Sequence, residues 1–403
     1  MPCVFAGWPS MAELTSGPPV GAESYSRWIR RVIGAARSGG RTILPLFEST
    51  VPEPRALLTA LVREAFAEPV TDRYTSAFAA GNPFVVAALA QTYAVQPAQV
   101  LCTTGATGAM AQLYRALLQP GDHVLVETPG FDLLGILARE HGAQVSTFVR
   151  PGAGFALDVD RIAAGLTART RLVVLTNLHN PSGLAADPAA LSELAALAQA
   201  RGFRVIVDEV YGDFATAEER PLPACLISPD FISVSSLTKA FGLSTLRCGW
   251  IVADATVITP VSELADRTEF GISNLAHGLA ALVLERRAQF SAYSSGVLAA
   301  SRPIVDDYFA RWCDAGLIAG TMPQSGCIAF PRLTGIDDTL AFADGLLAAS
   351  GVAVVPGEFF GAAGHVRIGF ALPTAQIEPA FAALDAALRS AREHAARPLS
   401  RVL

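Results

Sequence analysis

The sequence predicts an α/β protein. A large unit is built on a mostly parallel sheet covered by helices, and a smaller α+β unit is assembled from N- and C-terminal segments. Three observations carry this expectation. Between Val100 and Val234, short apolar runs alternate with helical stretches, the pattern of a parallel sheet buried on both faces. From about Val297 the character shifts to a helical stretch, short strand-like runs and a closing helix. The chain has 403 residues, a length that favours two lobes over one core.

Residues 1–22 contain Gly, Pro and Ser without periodicity and read as a loose arm. Residues 23–49 and 297–403 are assigned to the small unit, and residues 50–296 to the large one. A short helix is expected from Tyr25 to Ala36. Ile43–Leu46 then leads into the proline-containing crossing Glu48-Ser49-Thr50-Val51-Pro52. Strands are expected at Val100–Thr103, His123–Glu127, Gln144–Phe148, Leu172–Thr176, Arg204–Val207 and Phe231–Val234. Helices are expected at Ala109–Leu118, Phe131–His141, Pro188–Arg201 and Gly278–Phe290. In the small unit, Ile304–Trp312 reads as helix, followed by apolar runs at Gly326–Phe330, Val352–Gly357 and His365–Phe370. A helix from Gln376 to about His394 closes the chain. Right-handed crossovers between parallel strands bring the strand C-terminal ends to one edge of the sheet, where ligands bind.

Composition narrows the function classes. Hydrophobic residues make up 51% and charged residues 16%, but no run of 18 residues lacks a charge or a helix breaker, so no membrane span is expected. The N-terminus lacks a basic region followed by an apolar one and does not read as a signal peptide. The net charge is −6 and no Lys/Arg run stands out, which argues against nucleic acid as a partner. The cysteines Cys3, Cys102, Cys225, Cys248, Cys313 and Cys327 include no CxxC pair and read as reduced, mostly buried residues of a cytoplasmic protein. The six histidines have no metal-ligand spacing, so no metal is expected.

Lys239 is the only lysine among the 30 Lys+Arg. Arginine stays protonated, whereas a desolvated lysine can lose its proton and condense with a carbonyl. Lys239 follows a β-type run and a Ser/Thr cluster, Ser233-Val234-Ser235-Ser236-Leu237-Thr238, and precedes Arg247-Cys248-Gly249-Trp250. That is the layout of an imine-forming amine beside an anion site.

Other strand ends carry polar groups. Thr104-Gly105-Ala106-Thr107-Gly108 opens a helix whose free N–H groups can attract an anion, although the same residues serve an ordinary strand-to-helix turn. Asn180, in His179-Asn180-Pro181-Ser182-Gly183, is either a turn former or a donor to a ring oxygen. Asp208, in Asp208-Glu209-Val210-Tyr211, ends an apolar strand and is either a helix cap or the partner of a cation such as a protonated pyridine nitrogen.

Together with Arg367, these segments resemble the class I/II aminotransferases, in that family's order and spacing, from roughly Pro45 to Leu388. The resemblance implies a fold-type I enzyme dependent on pyridoxal 5′-phosphate, moving an amino group between an α-amino acid and a 2-oxo acid. Lys239 would hold the cofactor as a Schiff base and then move the proton between substrate and cofactor. Asp208 would keep the pyridine nitrogen protonated, and Asn180 and Tyr211 would bond the phenolic oxygen. Ser236, Arg247 and the backbone at Gly105, Ala106 and Thr107 would hold the phosphate. Phe131 would stack on the ring, and Arg367 would clamp the α-carboxylate, with Asn180 beside the substrate. Tyr74 matches a tyrosine that the family sends to the phosphate of the other subunit, which implies a homodimer with its active site at the interface; a plain core aromatic is the other reading.

Three departures bear on substrate. Thr245 stands where the family often has glycine. Glu48-Ser49-Thr50 replaces a glycine-containing segment that often lies over the substrate. Glu269 falls where members specific for dicarboxylates carry a second arginine, which would disfavour acidic side chains and select neutral ones. A C–S β-lyase or a decarboxylase on the same fold is the alternative. His179-Asn180-Pro181 matches lyases, whereas Glu209-Val210-Tyr211 has the aminotransferase form.

Overall fold

The computed structural model describes residues 24–39, 42–76, 80–216, 218–269 and 271–396. The arm expected at residues 1–22 lies outside them. Strands β1 (Val100–Thr104), β2 (His123–Thr128), β3 (Gln144–Val149), β4 (Thr170–Thr176), β5 (Arg204–Asp208), β6 (Phe231–Ser236) and β7 (Cys248–Val252) form one sheet in the order β1-β7-β6-β5-β4-β2-β3. β7 is antiparallel to both of its neighbours, and the remaining pairings are parallel. Val173, Val174, Val205 and Ile206 are fully buried, because helices cover both faces and neither alternate set of side chains meets water.

The helices are α1 (Tyr25–Gly39), α2 (Arg55–Ala65), α3 (Pro83–Tyr93), α4 (Gly105–Leu117), α5 (Asp132–Glu140), α6 (Val159–Gly165), α7 (Pro188–Arg201), α8 (Ala255–Thr268), α9 (Asn274–Glu285), α10 (Arg287–Asp314), α11 (Thr339–Ser350) and α12 (Thr374–Ala396). Periodicity does not single out α2, α3, α6, α8 or α11. The Gly81-Asn82-Pro83 run resembles a turn, yet Asn82 caps α3 by accepting from the Phe84 and Val85 N–H groups, and Pro83 sits where a missing N–H costs nothing. Nor does the pattern of strands include β7, whose Cys248-Gly249-Trp250 belongs to the segment read as an anion site. The stretch Gly278–Phe290 is not one helix: α9 ends at Glu285 and α10 starts at Arg287.

A second core surrounds Trp312, whose ring stacks on Phe381 at 5.5 Å, with Leu46, Val305, Val352, Ile368 and Leu384 around the pair. Short antiparallel pairings complete this part: β8 (Ile318–Ala319) pairs with β10 (Arg332–Leu333), and β9 (Ile328–Ala329) and β11 (Val355–Pro356) lie on either side of β12 (Val366–Gly369). α10 runs through Val297 without a break, placing Phe290 in the core under the large sheet and Trp312 in the second one. The change of composition at Val297 therefore falls inside a helix. Among the described residues, no helix is long and apolar enough to cross a membrane.

Candidate active site

The C-terminal ends of β1, β2, β4, β5 and β6 converge on one cavity, as parallel strands with same-handed crossovers require. Its accessible space of about 170 Å³ is more than ten times what one water needs, so it is sized for an organic ligand. Ala106, Thr107, Phe131, Asn180, Asp208, Tyr211, Ser236, Lys239, Arg247 and Arg367 all line it. Residues up to 261 positions apart in sequence thus meet in one place.

Lys239 lies just beyond β6. Its Nζ donates to Ser49 Oγ at 2.9 Å and sits 5.4 Å from the centre of the Tyr211 ring. Burial works against the ammonium, but the oxygens of Tyr211 and Tyr25 outweigh it and hold the amine above its ordinary value. Asp208 is 8% exposed at the end of β5, beside Thr176 on β4. Burial pushes its carboxyl up to about 6, against the pull of the Val210 N–H and of Lys239. Among the described residues, no cation forms an ion pair with it. A buried carboxylate in that position fits a ligand that brings its own positive charge.

The anion cup is built from backbone and one guanidinium. α4 begins at Gly105 with no side-chain bond from its cap residue Thr104, and Ala106 and Thr107 of its first turn line the cavity, where helix N-terminal N–H groups suit an anion. A Cβ at Gly105 would come within 2.6 Å of Arg247 Nη2, and one at Gly249 would come within 2.4 Å of the Gly105 carbonyl carbon. Only glycines let the turn and Arg247 approach this closely. With Ser236 alongside, the donor set suits a phosphate.

Arg367 on β12 is 1% exposed. Nη1 donates to Asn180 Oδ1 at 3.0 Å, and Nη2 donates to Tyr25 Oη at 2.9 Å and to the Phe47 carbonyl at 3.2 Å. Its Nε is buried with no partner, an orphan donor of the kind a ligand carboxylate would satisfy. Because guanidinium only donates, Asn180 must turn its oxygen to Arg367, leaving its NH₂ as the end that donates elsewhere.

The loop carrying Asn180 is fixed from behind. Thr176 Oγ1 donates to Glu127 at 2.6 Å and accepts from the Asn180 N–H at 2.8 Å, while Glu127 pairs with Arg150 at 3.0 Å. That ion pair is fully buried and was not expected from sequence. His179 does not line the cavity. One of its nitrogens donates to the Pro129 carbonyl at 2.8 Å, and the other accepts from Ser182 Oγ at 2.7 Å. Burial holds the ring well below its ordinary pKa, so it stays neutral and supports the loop.

Two expected residues lie elsewhere within the chain. Tyr74 is 49% exposed against Phe66, not in the core and not at the cavity. Glu269 is held by Gln112 Nε2 at 2.8 Å and Arg115 at 3.7 Å and does not line the cavity, which removes it as a side-chain selector within one chain. Helix α8 ends one residue earlier and turns Glu269 toward α4. Thr245 is exposed and donates to Glu53 at 2.8 Å.

Residues that motif reasoning missed are Ser49, Tyr25, Thr238, Val210 and an apolar wall of Met110, Leu133, Leu134 and Leu137. The helical spacing of Leu133, Leu134 and Leu137 was legible, but nothing local says which face meets a ligand.

The family model for aminotransferase class I and II matches residues 55–384, and the chain belongs to that family. It is a pyridoxal 5′-phosphate-dependent aminotransferase. Among curated proteins it is 34% identical to capreomycidine synthase of Streptomyces vinaceus over 76% of this chain and 78% of that one. It is 32% identical to the arginine–pyruvate transaminase AruH of Pseudomonas aeruginosa, over 69% and 72% respectively. Among solved structures, the Thermus thermophilus aspartate aminotransferase with maleate superposes with a TM-score of 0.81 at 23% identity, covering 95% of this chain and all of that one, a likeness of fold.

Proposed function

We propose that this aminotransferase acts on α-amino acids with neutral side chains, using the cavity residues in the roles expected from the sequence. The observation that carries the reading is the placement of Lys239 and the unpaired, buried Asp208 in one cavity with an anion cup at one end and Arg367 at the other.

The residues present fit the cofactor. Ser236, Arg247 and the N–H groups at the start of α4 would hold its phosphate, Phe131 its ring face, and Asn180 and Tyr211 its phenolic oxygen. Bound there, pyridoxal 5′-phosphate supplies a sink for the electron pair left when a proton leaves the substrate Cα. Asp208 holds a proton on the ring nitrogen. Arg367 binds the α-carboxylate and orients the Cα–H bond, and Lys239 carries the proton between carbon atoms through its amine. The clamp and Tyr211 are both almost fully buried.

The side-chain preference rests on two features. Met110, Phe131, Leu133, Leu134 and Leu137 offer an apolar wall. Glu48 does not line the cavity, but it precedes the cavity-lining Ser49, and Lys239 and Arg367 pull on its carboxyl against the upward push of burial. We propose that Glu48, coupled to both Lys239 and Arg367, disfavours acidic side chains in place of Glu269. We further propose a cytoplasmic homodimer with Tyr74, exposed in one chain, reaching the partner's phosphate cup.

Two measurements test the reading. Mixing the holoenzyme with single amino acids should change its visible absorbance and release the matching 2-oxo acid; release of pyruvate from a cysteine conjugate, or of carbon dioxide, would favour a lyase or a decarboxylase. Borohydride should fix the cofactor on the peptide bearing Lys239, and Lys239→Arg should abolish both the label and turnover. A label anywhere else apart from the α-amine sinks the assignment.

A further inference from the structure

We propose that Ser49 is a further catalytic residue, holding the amine of Lys239 during the part of the cycle in which that amine is not bonded to the cofactor; the proposal rests on the functional reading above.

Residues 46–51 form a strap between the two halves of the site. At one end, the Gly369 N–H donates to the Leu46 carbonyl at 2.6 Å and Arg367 Nη2 donates to the Phe47 carbonyl at 3.2 Å. At the other, Thr50 Oγ1 lies 2.7 Å from the Thr238 carbonyl and 2.9 Å from that of Lys239, and the Val51 N–H donates to the Lys239 carbonyl at 3.3 Å. Both ends are pinned, so Ser49 between them has little freedom. It is 5% exposed, lines the cavity, and accepts from Lys239 Nζ at 2.9 Å.

The chemistry follows from the hydrogen count. A free amine or ammonium has hydrogens to give, and Ser49 Oγ takes one. The contact therefore belongs to the half-cycle in which Lys239 has been released and must move a proton at the substrate Cα. A lysine side chain has four rotatable bonds and many accessible rotamers. Anchoring one N–H on Ser49 fixes the nitrogen, so its remaining valences point into the cavity. The strap also ties that nitrogen to the Phe47–Arg367 contact, so the amine and the carboxylate clamp share one rigid support.

The test compares wild-type and Ser49→Ala holoenzymes for cofactor content, resting spectrum, melting temperature, borohydride label and single-turnover rate with ordinary and Cα-deuterated amino acid. In Ser49→Ala, cofactor content, spectrum and label should match wild type, the proton-transfer rate should fall about tenfold, and the deuterium isotope effect should rise. An unchanged rate overturns the proposal. So does a slower rate with an unmoved isotope effect and lost cofactor, which would make Ser49 structural. Failure of the wild type itself to label at Lys239 would instead remove the functional reading.

Discussion

Arg367 Nη1 donates to Asn180 Oδ1 at 3.0 Å, joining a strand of the second core to the loop after β4. The same guanidinium keeps its Nε unpartnered. Carboxylate binding and the orientation of the Asn180 amide thus depend on one side chain. Arg367→Lys keeps the charge but cannot make both contacts. KM for amino acid and for 2-oxo acid should each rise about 100-fold, and the pH at which the resting absorbance changes should move. Steady-state kinetics and a spectral titration check both; a KM change with a fixed titration would separate Asn180 from the clamp.

Asp208 combines a functional benefit with a cost in stability. Its folded value of about 6 exceeds the ordinary 3.8, so the folded chain binds this proton more tightly than the unfolded one. The contribution to stability is present below the ordinary value and is lost as pH rises through about 6. Removing the charge should therefore stabilise the cofactor-free protein at pH 8, by at most about 3 kcal/mol, and give no gain at pH 4. Asp208→Asn should melt later at high pH while its holoenzyme turns over orders of magnitude more slowly. A mutant with near-normal turnover would reduce Asp208 to a cap.

Tyr74 is tested by complementation. Lys239→Arg and Tyr74→Ala chains are each expected to be impaired. Mixed after partial unfolding, they should regain activity, because one site of each hybrid then has an intact lysine facing an intact tyrosine. No gain, or a fully active monomer in sedimentation, would remove the trans assignment.

Glu48 and the leucine wall predict substrate choice. kcat/KM for alanine, leucine and phenylalanine should exceed that for aspartate and glutamate, since an acidic side chain meets like charge in a partly desolvated site. Glu48→Gln should raise kcat/KM for the acidic pair about tenfold and leave leucine within about twofold. A wild-type preference for aspartate contradicts the proposal.

What the sequence determined by itself is the chemistry at each strand end. Runs such as Leu172–Leu175 and Val205–Val207 are apolar at every position because both faces are buried, and that pattern is local. A lone lysine after a Ser/Thr run, an aspartate ending a strand, and glycines at a helix start are local too. Each names a functional group that its immediate neighbours cannot satisfy.

Tertiary structure decided the rest, because long-range contacts carry no local signature. Ser49 reaches Lys239 across 190 positions and Tyr25 reaches Arg367 across 342. Glu127 and Arg150 read as two unrelated charges until the sheet pairs them beneath Thr176. Glu269 shows the converse: its position in the motif register suggested a pocket, and the end of α8 delivered it to Gln112. Period and propensity say which elements form. Only the packing of those elements fixes which side chains share a cavity, because burial makes each polar group find its partner wherever the fold places one.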